Sequence, residues 1–88
     1  MTASELLQQY PLQKLIEALP EIIIRDKKKF YLLQDVFKLY ISKNMNVWEC
    51  VYLNNRDMQS LYEVRNKDFS MCIAEMISVL IQEKHIEL

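Results

Sequence analysis

Glycine is absent from all 88 residues. That excludes phosphate-cradling loops of the G-x-x-x-x-G-K and G-x-G-x-x-G kinds, where the backbone must approach a ligand closely. It also shifts every sharp turn onto other residue types. Asparagine tolerates the left-handed backbone region best after glycine. Asn44, Asn46, Asn54, Asn55 and Asn66 are therefore the expected turn and cap positions. Histidine occurs once, as His85 near the C-terminus. A Cys–His nucleophile pair needs both groups held in register, which a fraying tail does not supply. Cysteine occurs twice, as Cys50 and Cys72. Two thiols outside a C-x-x-C pair make neither a disulfide scaffold nor a zinc motif, and read as reduced, buried side chains. No catalytic, metal or cofactor constellation is expected, and the chain reads as non-enzymatic.

A basic excess is missing as well, since 11 basic and 12 acidic residues leave a net charge of −1. General nucleic-acid binders draw much of their affinity from phosphate neutralisation, so nucleic acid is not the expected partner. No hydrophobic run is long enough to cross a bilayer, because the most apolar window, Phe69 to Ile81, is short and contains Glu75. The first residues carry Glu5 and no basic n-region of a signal peptide. The expectation is a cytoplasmic chain without direct membrane insertion. What is present is a composition 51% apolar and 26% charged, enough for one globular domain over residues 1–88.

The pattern of those residues predicts a mainly α fold, a small bundle of four to five helices with a β-hairpin over 46–64 as the alternative for that stretch. Thr2-Ala3-Ser4-Glu5 fits a capping box. The helix it opens is interrupted or restarted at Pro11, and Leu12, Leu15, Ile16 and Leu19 continue at helical spacing until Pro20 stops them. Ile22-Ile23-Ile24 suits an extended segment or a short helical turn. Asp26 is a good N-cap for a helix running to Lys43 or Asn44, with Phe30, Leu33, Phe37, Tyr40 and Ile41 on one face. Asn46 to Val64 reads either as two short helices, the favoured choice, or as strands joined near Asn54-Asn55-Arg56-Asp57. Asp68 or Ser70 caps a last helix whose apolar face is Phe69, Cys72, Ile73, Met76, Ile77, Leu80 and Ile81.

Three features carry functional expectations. Arg25-Asp26-Lys27-Lys28-Lys29 is the one dense charge run, and Arg25, Lys27, Lys28 and Lys29 could meet phosphates or an acidic partner, or simply be solvated. Trp48 and Tyr52 share a face in a helix or a strand. Exposed, they would form a protein-binding hot spot; otherwise they belong to the core. Met71 and Val79 widen the last helix beyond one stripe, which points to a homodimer contact there or to complete enclosure by the chain's own elements. Val36 to Leu53 can also be drawn as a helix-turn-helix, but its second helix would hold no Arg or Lys to read bases or phosphates.

The opening Ser4-Glu5-Leu6-Leu7-Gln8-Gln9-Tyr10-Pro11-Leu12, with Lys14-Leu15-Ile16, resembles small cytoplasmic lysis-inhibition antiholins of T-even-type phages. The resemblance covers about the first fifth of the chain and includes no chemical motif. It implies a regulatory protein that contacts the cytoplasmic part of a membrane-embedded holin and delays lysis. The reading is thus a small regulator acting by stoichiometric binding to a protein partner; the competing reading is a helix-turn-helix or winged-helix transcriptional regulator.

Overall fold

In the computed structural model, residues 1–26 and 34–88 are described, without the side chains of residues 26 and 34. The order is α1 (Ala3–Gln9), α2 (Leu12–Ala18), β1 (Ile22–Asp26), β2 (Gln34–Asn44), β3 (Val47–Asn54), β4 (Ser60–Asn66) and α3 (Phe69–Gln82). The four strands form one antiparallel sheet in the order β1-β2-β3-β4. The fold is α+β, and this overturns the expectation of a mainly helical bundle.

The helical ends of the chain form where local signals predict them. Thr2 Oγ1 accepts from the Glu5 amide at 3.2 Å while Glu5 Oε1 accepts from the Thr2 amide at 3.4 Å, completing the capping box. Pro11 sits at the N-cap of α2, where its missing donor costs nothing. Asp68 caps α3 by accepting from the Met71 amide at 3.3 Å. Helices of 7 residues, as α1 and α2 are, do not persist alone; they hold by seating Leu6 and Leu15, both fully buried, in the core beside α3. Cys72, Ile73, Ala74, Met76, Ile77 and Leu80 of α3 are sealed in the same core with Phe37, Cys50 and Tyr52 of the sheet. Each large apolar side chain so buried contributes about 1.5–3 kcal/mol.

The middle of the chain departs from expectation. Residues 34–44, the second half of the expected Asp26–Lys43 helix, form β2; Phe30 and Leu33 lie outside the described residues. Apolar residues at Val36, Phe37, Leu39, Tyr40 and Ile41 satisfy a helical stripe and a strand equally well. The β-branched and aromatic members pack well on a pleated surface, and pairing with both β1 and β3 decides the outcome. The two short helices favoured over 46–64 are instead the β3–β4 hairpin, with a register shift at Tyr52/Leu53. The helix-turn-helix drawn over Val36–Leu53 is the β2–β3 hairpin, whose two-residue turn, Met45 and Asn46, has φ of 51° and 67°. Positive φ at both positions matches the twist of the flanking strands. Asn46 thus acts as expected of a glycine substitute. Asn54 and Asn66 act differently, since each turns the chain through its side-chain oxygen, accepting from Arg56 N at 2.9 Å and Asp68 N at 2.8 Å.

Candidate functional site

Alternation along each strand sorts the sheet into two faces. Ile23, Asp35, Phe37, Cys50, Tyr52 and Asn54 point to the helix side and are buried. The opposite face carries Ile22 and Ile24 of β1, Val36, Lys38 and Tyr40 of β2, and Val51 and Leu53 of β3. No described element packs over it. Ile22, Ile24, Val36 and Tyr40 are 46%, 51%, 38% and 41% exposed, while Val51 and Leu53 are half-buried. An antiparallel sheet with one solvated face normally alternates to polar residues on that side. Here the solvated side is largely apolar.

The register makes these residues neighbours. Ile24 is opposite Val36, Ile22 opposite Lys38, Lys38 opposite Leu53, and Tyr40 opposite Val51. Lys38 stands in their midst, between two shallow depressions. One is lined by Val36, Lys38, Asn54, Asn55 and Arg56, the other by Glu21, Ile22, Lys38, Leu39 and Tyr40. Tyr40 Oη donates to Asn55 Oδ1 at 2.8 Å, which fixes its ring across the face. Farther along, the face turns polar: Arg65 meets Glu63 at 2.7 Å and Glu49 at 3.6 Å. The apolar area is therefore bounded on one side by self-paired charges.

The residues singled out from the sequence fall elsewhere. Arg25 lies on β1, its side chain 55% exposed, with its guanidinium 3.5 Å from Asp35 and 5.2 Å from the centre of the Phe37 ring. Asp35 is buried and also receives Arg56 Nη2 at 2.9 Å and Asn54 Nδ2 at 3.4 Å, so this charge cluster braces the β1–β2–β3 end of the sheet. Lys27, Lys28 and Lys29 lie outside the described residues. Trp48 and Tyr52 do share a face, but it is the covered one. Trp48 is half-buried, its ring 4.6 Å from that of Phe69, with Lys43 Nζ at 5.5 Å on it. Tyr52 is fully buried and donates to the Pro20 carbonyl at 2.7 Å. As a contact for a partner it is inaccessible. Met71 and Val79 are half-buried on the flanks of α3, and the sheet, α1 and α2 account for most of that helix's apolar surface.

Burial also silences the thiols of the interior. The Cys50 thiol is pushed up to about 12 by desolvation and by the nearby Cys72. Desolvation likewise raises Cys72, Tyr52 and Tyr62. Such thiols stay protonated at neutral pH and are poor nucleophiles. Cys72 Sγ lies 3.6 Å from the carbonyl oxygens of Trp48 and Val64, a structural position. Tyr62 Oη and His85 Nε2 are 2.8 Å apart, which ties the histidine to the sheet. Among the described residues no group of three or more His, Cys, Asp or Glu could hold a metal ion, and no helix is long and apolar enough to cross a membrane.

A helical reading of residues 26–43 hides the exposed face, because it sets Tyr40 on one stripe with Phe37 and Ile41. The run Val36-Phe37-Lys38-Leu39-Tyr40-Ile41 lacks the strict apolar–polar alternation that marks a half-buried strand, so the sequence carries no clear signal for this face.

Compared with family models, with curated proteins and with solved structures, the chain matches none.

Proposed function

We propose that this chain is a non-enzymatic regulator that binds a protein partner stoichiometrically through the open face of its sheet. The observation that carries the reading is the contiguous apolar area of Ile22, Ile24, Val36 and Tyr40, each 38% or more exposed and covered by no described element. Side chains of this kind gain by leaving water, and a protein surface is the usual means. Lys38, at the centre, favours an occupant with an acidic group set among apolar ones. The resemblance of the first residues to lysis-inhibition antiholins implies a candidate partner to try on this face, the cytoplasmic part of a holin.

The test is calorimetric titration of the purified chain with peptides covering that cytoplasmic part. One-to-one binding that Val36→Glu and Tyr40→Glu abolish, with the circular dichroism unchanged, is the expected result. Absence of binding removes the holin as partner. Retention of the same proteins from the native host by wild type and by both variants would remove the sheet face.

A further inference from the structure

We infer that the edge of β1 away from β2 pairs with β1 of a second copy, joining two four-stranded sheets into one of eight. The inference goes beyond the partner-binding reading. It concerns the edge of the sheet, which shares Ile22 and Ile24 with the face, and it stands whether or not the face binds another protein.

The two edges of the sheet are unlike. β4 carries Glu63 and Arg65 within its length, charges of the kind that discourage strand addition, whereas β1 confines its charges, Arg25 and Asp26, to its last two positions. β1 begins Ile22-Ile23-Ile24, with neither proline nor lysine, and its pairing with β2 is regular from Ile22 to Asp26. Among the described residues only β2 pairs with it. An edge of three isoleucines that no other described strand pairs is a template for another strand.

The hydrogen-bond phase selects the register. Leu39 N donates to Glu21 O at 3.0 Å, so Glu21, and with it Ile23 and Arg25, turns its backbone groups toward β2. The amides and carbonyls of Ile22 and Ile24 therefore point away from the sheet, to the open edge. An antiparallel two-fold partner satisfies them when Ile22 lies opposite Ile24 of the second copy. Ile23 then meets its own equivalent on the axis, and four backbone hydrogen bonds close between the copies.

Charge agrees with that register. Glu21 comes opposite Arg25 of the second copy, in a pair without backbone hydrogen bonds, where side chains approach most closely. The symmetry repeats the pair on the other side of the axis. The Arg25 side chain is 55% exposed, so its contact with Asp35 leaves donors available. Sliding the partner by two residues would instead set Ile23 opposite Arg25 and Ile22 opposite Asp26, leaving Ile24 against its own equivalent as the one matched pair. In the favoured register Ile22 and Ile24 of both copies meet on the open face, so pairing covers part of the most exposed apolar surface of β1.

Sedimentation equilibrium from micromolar to sub-millimolar concentration tests the assembly, together with hydrogen exchange at Ile22 and Ile24. The expected result is a reversible dimer whose formation slows exchange at those two amides by about tenfold or more. Ile24→Pro removes an edge donor without removing a bond to β2, and should yield a folded monomer. Glu21→Lys alters only an exposed side chain, and should weaken the dimer roughly threefold or more at low salt, with the loss shrinking as salt is added. A monomeric wild type, or a dimer that persists in folded Ile24→Pro, would overturn the proposal. Should Ile24→Pro not fold, Glu21→Lys decides, and unchanged dimer affinity overturns it.

Discussion

Removing one hydroxyl, by Tyr52→Phe, asks whether Tyr52 serves the fold or a partner. Its ring is fully buried in the sheet's covered face, and its hydroxyl donates to the carbonyl of Pro20 at 2.7 Å. That bond spans 32 residues and fixes the corner where α2 ends and β1 begins. Phenylalanine keeps the ring and leaves no large cavity, so the change isolates the hydrogen bond. Leaving a buried acceptor without its donor costs about 1–3 kcal/mol. Pro20 is only half-buried and water can reach its carbonyl in part, which places the value in the lower half of that range. For a domain of this size each kcal/mol lowers Tm by about 4–8 °C. The assay is urea and thermal unfolding followed by circular dichroism, with the urea slope unchanged. Partner binding measured well below Tm should match wild type, because the side chain is unreachable from outside. A loss of stability below about 0.5 kcal/mol, or a folded Tyr52→Phe that no longer binds, would refute the reasoning.

Alkaline pH should destabilise the chain. Cys50 rises from 9.0 to about 12 on folding, and Cys72, Tyr52 and Tyr62 rise as well, so the folded state binds these protons more tightly than the unfolded state. Their contribution is complete below the unfolded values and is lost as pH climbs toward the folded ones, at up to about 1.4 kcal/mol per pH unit per group. Tm should therefore hold steady up to about pH 8 and fall beyond 9, and Cys50→Ala should flatten part of the fall; a level profile to pH 11 would contradict this assignment. Asp35→Asn should cost about 1.5–3 kcal/mol in urea unfolding. That is less than the roughly 3–5 of a fully buried pair, because Arg25 and Arg56 remain more than half exposed and rehydrate.

The sequence by itself determined the ends of this protein. Thr2 with Glu5, Pro11, the Leu19-Pro20 stop and Asp68 are local signals, each acting within about one helical turn, and the helices they delimit form as those signals dictate. It determined as well that Asn46 takes a left-handed turn in a chain without glycine. Between Ile22 and Val64 the sequence was ambiguous, since a run such as Val36-Phe37-Lys38-Leu39-Tyr40-Ile41 offers an apolar stripe at either period. Only tertiary structure resolved it, because a strand's hydrogen bonds lie with partners distant in the chain. Leu39 must find Tyr52 and Ile24 must find Val36 before either period has an advantage. The same pairing decided the candidate site. Trp48 and Tyr52 read in one dimension as either a surface pair or core, and lie on the covered face in three. Ile22, Ile24, Val36 and Tyr40 look like core and stand on the open face, because the helices at both ends of the chain pack on one side of the sheet and no described element covers the other.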